Sequence, residues 1–185
     1  MKRNLEIEYK TLIERDTFDA FRNALFFSAP VKQVNEYFDT EDLALFKKHI
    51  MCRIRVIDSY YEFTLKIPQE DGVMEFEVVL DENKLESSNK VINLLESHSV
   101  DVTEMNKVAT STTFRSTFDD QYGTWCLDET HFDNSVDYEI EYELFGPHEK
   151  AYQHYVDTLD KYNIPFRKAN PKFIRALLDN QRINR

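Results

Sequence analysis

The sequence predicts an α+β fold: an eight-stranded antiparallel β-barrel, closed into a tunnel with a charged interior, its outer wall packed by amphipathic helices. Three observations point there. Charged residues recur at every second position of strand-like runs. Apolar stripes at helical spacing lie between and after those runs. The runs number about eight, a count that closes comfortably into a barrel. In a strand, successive side chains point to opposite faces. A charged face belongs either to an antiparallel sheet open to water, the ordinary arrangement, or to a barrel turned inside out. The period is two in both. The residue types favour the barrel, because arginines cluster on one strand and glutamates on others. Apolar helix stripes also need an apolar wall to cover.

The first strand is expected over residues 4–13, with Glu6, Glu8 and Lys10 on one face and Leu5, Ile7 and Tyr9 on the other. Asp16 is placed to cap a helix, with Asp19 in its first turn and Phe18, Phe21 and Leu25 along one face. Pro30 opens a second strand, Gln33 to Asp39. A short turn or helix around residues 43–46 leads to a third strand, 50–58, where Arg53 and Arg55 flank Ile54. Asp58-Ser59 reads as a hairpin turn into a fourth strand, 60–67, which sets Lys66 between Leu65 and Ile67. Breakers fill residues 68–72, and a fifth strand at 73–81 places Glu75 and Glu77 around Phe76. Residues 82–98 read as one or two helices on Leu85, Val91, Ile92 and Leu95. A sixth strand (106–118) carries Arg115 and a seventh (124–132) carries Asp128. An eighth (136–145) alternates Glu139, Glu141 and Glu143 with Tyr138, Ile140, Tyr142 and Leu144. Gly146-Pro147 starts a helix with a stripe of Tyr152, Tyr155, Val156, Leu159 and Tyr162. A last helix begins near Pro171 and buries Phe173, Ile174, Leu177 and Leu178.

A chain of 185 residues fits one domain over 1–185. With 42% hydrophobic residues it has ample core material, which argues against disorder. Only three glycines are present, so glycine-rich phosphate loops are absent and phosphate binding falls to side chains. The net charge of −11 argues against a nucleic-acid partner, although an acidic shell can enclose a basic pocket. No apolar stretch approaches the ~20 residues a bilayer span needs, so no membrane partner is expected. Met1-Lys2-Arg3-Asn4 leads straight into a charged strand, with no signal peptide visible. Cys52 and Cys126 allow a disulfide, but read rather as two buried thiols of a reducing cytoplasm. The five histidines make no zinc spacing with them. The aromatic helix faces suit packing within a monomer and a homodimer contact equally, so the oligomeric state stays open.

A lumen holding Lys10, Arg53, Arg55, Lys66 and Arg115 needs anions or acids to offset its repulsion. Arginine forks match phosphate oxygens, and a triphosphate carries roughly four to five negative charges near neutral pH. Glu6, Glu8, Glu139 and Glu141 offer the hard oxygens that Mg²⁺ or Mn²⁺ take, often with substrate phosphates. The competing reading of the glutamate-rich last strand is a solvated acidic face.

Glu6-x-Glu8-x-Lys10 resembles the signature of the CYTH domain, the triphosphate tunnel metalloenzyme superfamily. Tyr37-Phe38-Asp39-Thr40, Arg53-Ile54-Arg55, Thr64-Leu65-Lys66, Arg115, Asp128, Glu139-x-Glu141 and Lys172 with Phe173-Ile174-Arg175-Ala176-Leu177 follow in the family's order. The ordered set spans nearly the whole chain and is similar to the compact bacterial, YjbK-like branch. His49 to Cys52 and Asn170-Pro171 depart from the family's pattern, at a turn and at one tunnel end respectively. The resemblance implies an eight-stranded tunnel, a need for Mg²⁺ or Mn²⁺ and a small-molecule triphosphate substrate. It implies Glu6, Glu8, Glu139 and Glu141 as metal ligands, and Lys10, Arg53, Arg55, Lys66, Arg115 and Lys172 as phosphate contacts. Among these, Glu6, Glu8, Lys10, Arg53, Arg55, Glu139 and Glu141 form the expected catalytic set. Glu75, Glu77 and Asp128 would orient the cations or join a second metal site. Glu143 continues the inward register or sits at a solvated mouth, and Lys168 is an alternative to Lys172. The implied activity is metal-dependent hydrolysis of a small triphosphate: inorganic tripolyphosphate, or a nucleoside or thiamine triphosphate. A class IV-type adenylyl cyclase and a non-catalytic triphosphate or polyphosphate binder are the alternatives.

Overall fold

The computed structural model describes residues 1–70 and 72–183. Its strands are β1 (Lys2–Glu6), β2 (Glu8–Ile13), β3 (Val31–Asp39), β4 (Met51–Ile57), β5 (Tyr60–Gln69), β6 (Gly72–Leu80), β7 (Asn106–Asp119), β8 (Gly123–His131) and β9 (Val136–Leu144). They form one curled antiparallel sheet of nine strands, a half-barrel, in the order β1-β6-β5-β4-β3-β7-β8-β9-β2. The helices are α1 (Arg15–Ala24), α2 (Asn89–Ser97), α3 (Ala151–Lys161) and α4 (Lys172–Asp179).

The expected count of eight strands becomes nine because the N-terminal run changes partner at Ile7. Lys2–Glu6 pair with β6, whereas Glu8–Ile13 pair with β9. The Leu144 N–H donates to the Ile7 carbonyl at 2.9 Å, inside the break. The two ends of the sheet order are therefore successive strands of one run. The free edge of β2 is covered by the segment before α4: Leu12 N–H donates to the Arg167 carbonyl, and the Arg167 N–H donates to Thr11 Oγ1 at 2.7 Å. Such cover removes an open template for strand addition.

Outward side chains meet the helices in two clusters, and a third forms where α4 packs on inner-face residues at one end of the cavity. Ile54, Phe63, Leu65 and Val78 pack with Leu85, Val91 and Leu95 of the α2 segment. Trp125, Leu127, Ile140 and Tyr142 pack with Phe18 and Phe21 of α1 and with Tyr155 and Leu159 of α3. Tyr37, Val108 and Ala109 receive Phe173, Ala176 and Leu177 of α4. Two helix starts differ from expectation. Glu14, not Asp16, occupies the cap position of α1, and Asp16 falls in its first turn. The helix expected from Gly146-Pro147 begins at Ala151. Both cysteines are free and buried.

Asp120, at the β7–β8 turn, ties this outer layer together. Its carboxylate accepts from Trp125 Nε1 at 2.8 Å and from the Tyr142 hydroxyl at 2.5 Å, and it pairs with His154 of α3 at 2.6 Å. At Gly123 the strands approach so closely that a Cβ would stand 2.3 Å from the Glu143 carbonyl oxygen. Glycine is needed there for space.

Candidate active site

The inner face of the sheet encloses a cavity of about 710 Å³. Alternation fills it with charge, because the apolar partners of each charged residue face the helices. Glu6 and Glu8 come from β1 and β2, and Lys10 from β2. Arg53 and Arg55 stand on β4, Lys66 on β5, and Glu75 and Glu77 on β6. Arg115 stands on β7, Glu141 and Glu143 on β9, and Lys172 at the start of α4. Among the described residues the lining thus holds six carboxylates and six cations.

The cations differ sharply in what they touch. Arg115 donates to Asp128 through Nε at 2.8 Å and Nη2 at 2.7 Å, to Glu143 through Nη1 at 2.7 Å, and also to Glu141. Lys172 lies 2.8 Å from both Asp128 and Glu139 and 2.6 Å from Glu141. Burial works against the charge of Arg115 and Lys172, yet the surrounding carboxylates hold both well above their ordinary pKa values. The same pairs hold Glu141 well below the usual carboxylate range despite its burial, and depress Asp128. Lys66 contacts Glu6 at 2.5 Å and Glu75 at 3.6 Å, and Lys10 pairs with Glu8.

Arg53 and Arg55 are the exceptions. Arg53 Nη2 donates to Thr64 Oγ1 at 3.1 Å, and Arg55 Nε donates to Asn35 Oδ1 at 3.0 Å. Among the described residues neither forms an ion pair. Burial, with Arg53 and Arg115 nearby, pulls Arg55 down to about 10. Two adjacent cations without counter-ions in a largely buried cleft are a site for an anion.

The carboxylates also divide. Oxygens of Glu6, Glu8 and Glu143 lie within 4.8 Å of one another, the donor set a hard divalent cation takes. Burial, reinforced by Glu141, raises Glu8 above its ordinary value. Glu139 is wholly buried behind the lining, and its oxygens accept from Lys172 and from both terminal nitrogens of Arg175. Asp128 is likewise buried behind Arg115.

The CYTH domain profile matches residues 4–175. The chain belongs to the CYTH domain family. The Bacillus subtilis (strain 168) protein named "Putative triphosphatase YjbK" is 30% identical over 182 residues, which is 95% of each chain. A crystal structure from Bacillus halodurans, described as a "putative adenylate cyclase", matches with a TM-score of 0.86 at 30% identity, over 95% of this chain and 98% of that one. HpAC1 from Hippeastrum, described as an adenylyl cyclase candidate with a dominant triphosphatase activity, matches with a TM-score of 0.77 at 25% identity, over 92% and 94% of the two chains.

In this CYTH domain the six cations expected at phosphate all line one cavity, as do Glu6, Glu8, Glu75, Glu77, Glu141 and Glu143. Glu139 and Asp128 stand behind it. Lys168 is exposed and lies outside the lining. Several further residues support the site without a motif to announce them. Asn35 and Thr64 hold the two arginines; each shares the inward register of its strand, which was the available signal. Arg175 follows Lys172 by three residues on the same face of α4 and clamps Glu139. Asp39 accepts from the N–H groups of Leu45 and Phe46 at 2.9 Å, and so fixes the turn that brings Phe46 and His49 to the cavity rim.

Proposed function

We propose that this CYTH domain, a single domain over 1–185, is a divalent-metal-dependent hydrolase of a small triphosphate that releases the terminal phosphate, and that the β1–β2 run completes a closed wall around the cavity. The observation that carries the reading is the pair Arg53 and Arg55, without counter-ions among the described residues, facing a cavity that also gathers Glu6, Glu8 and Glu143. The names of YjbK and HpAC1 support hydrolysis, and the free cysteines agree with a reducing cytoplasm.

Glu6 and Glu8, joined by a carboxylate of β9, would hold Mg²⁺ or Mn²⁺. When bound, the ion would polarise the terminal phosphoryl group and lower the pKa of a water ligand. The rest falls to the chain. Arg53 and Arg55 bind phosphate oxygens and neutralise charge as it shifts toward the leaving phosphate. Lys10, Lys66, Arg115 and Lys172 surround the remaining oxygens. Asp128, Glu139 and Arg175 hold Arg115 and Lys172 in place from behind.

Purified protein with Mg²⁺ or Mn²⁺ is expected to release orthophosphate from tripolyphosphate, and Glu8→Gln to abolish release while keeping the native circular-dichroism spectrum. A rate equal to the blank across tripolyphosphate, ATP, GTP and thiamine triphosphate refutes the reading. The cyclase reading has the Bacillus halodurans description behind it; cyclic AMP and pyrophosphate formed from ATP would decide for it. Binding without turnover would mark a non-catalytic binder.

A further inference from the structure

The carboxylates that could hold a cation and the cations that could hold phosphate are not independent sets. Glu6 contacts Lys66 at 2.5 Å, Glu8 pairs with Lys10, and Glu143 accepts from Arg115 at 2.7 Å. Each of the three carboxylates that converge within 4.8 Å is thus the counter-ion of a cation lining the same cavity. Glu139 lies behind the lining with its oxygens occupied by Lys172 and Arg175. Glu141 lines the cavity but serves Arg115 and Lys172.

Three carboxylates held this close repel one another, and the three cations offset that repulsion. A divalent cation would do the same for all three at once, leaving Lys66, Lys10 and Arg115 short of negative charge. Glu75 and Asp128 would still hold Lys66 and Arg115 in position. We propose that Glu143 is the third carboxylate of the cation site with Glu6 and Glu8, and that the trio couples cation binding to phosphate binding by releasing Arg115, Lys66 and Lys10 as phosphate contacts. The proposal rests on the triphosphate reading above. The coupling is reciprocal: bound polyphosphate draws the three cations away and raises the trio's affinity for the metal. Without metal, polyphosphate is left chiefly with Arg53 and Arg55.

The test is calorimetric titration of inorganic tripolyphosphate into protein kept metal-free with EDTA. Glu143→Gln removes one counter-ion from Arg115 and is expected to bind tripolyphosphate about fivefold tighter than wild type, or more. Its affinity for Mn²⁺ alone, titrated separately, is expected to fall. Glu6→Gln frees Lys66 in the same way and serves if the first variant does not fold. Glu82→Gln makes the same charge change, but Glu82 pairs with Lys84 at 3.1 Å on the surface, outside the cavity lining; it is expected to stay near the wild-type affinity. An equal gain in Glu82→Gln, or no gain in either Glu143→Gln or Glu6→Gln, overturns the coupling while leaving the hydrolase reading intact. Wild-type protein that binds no tripolyphosphate with or without Mn²⁺ overturns both.

Discussion

Arg53 and Arg55 illustrate what a single residue contributes and what its pattern conceals. Their alternation around Ile54 places them on the inner face; it does not reveal that, among the described residues, they are the lining cations without a carboxylate partner. Among the described residues Arg55 donates to Asn35 and forms no ion pair, so Arg55→Ala removes a charge that burial already disfavours. Its urea midpoint is expected to match or exceed wild type, while kcat/KM on tripolyphosphate falls roughly 10- to 100-fold, the worth of one charged hydrogen bond. Arg55→Lys keeps the charge but loses the fork, and is expected to fall between. Asp137 gives a pH signature. Burial raises it to about 6 against the attraction of Arg175. Between its ordinary value and 6 the folded protein holds more protons than the unfolded chain, so stability falls as pH rises through that window. Asp137→Asn is expected to flatten that decline in urea titrations. No spacing announces Asp137, because its partner Arg175 arrives from a helix late in the chain.

Among the elements, α4 matters most to the cavity. Its apolar side, Phe173, Ala176 and Leu177, seats it on β3 and β7, and its other side sends Lys172 and Arg175 toward Glu139. Arg175→Ala would leave a wholly buried carboxylate short of a bidentate partner. The expected loss is about 3–5 kcal/mol by urea denaturation. At the β8–β9 contact, Gly123→Ala would push a methyl against the Glu143 backbone. It is expected to cost about 1–3 kcal/mol, with weaker Mn²⁺ binding because β9 carries Glu143, proposed above as a ligand of the cation. Strands were legible to within a few residues because a period of two survives in sequence. The split at Ile7 was not, since nothing in Leu5-Glu6-Ile7-Glu8 says that the two halves pair with different neighbours. Helix starts were misplaced for a related reason. Asp16 and Pro147 are good starting residues, but the helices begin at Arg15 and Ala151, since local preference is only a weak guide to where a helix starts.

At the scale of the whole molecule, the inside-out sheet makes stability depend on carboxylates being charged. Asp128 and Glu141 are held below their ordinary values by Arg115 and Lys172. Their contribution is complete above the unfolded carboxylate range, near pH 4, and is lost as pH falls through their lower folded values. Acid unfolding followed by circular dichroism is expected to begin below about pH 4, and Lys172→Met, by removing one partner, to move it upward. The charge-lined interior was legible because positive and negative residues keep one register over many strands; which acid meets which base was not. The lining is balanced, six against six among the described residues, so the formal charge of −11 is carried by the rest of the chain. A bare polyphosphate in dilute buffer would feel that shell from roughly 30 Å away, and only from about 8 Å at physiological ionic strength. Added salt should therefore hasten its arrival, the reverse of electrostatic guidance. A polyphosphate escorted by magnesium has less to overcome on the way in, and the exterior would favour it before any side chain is touched.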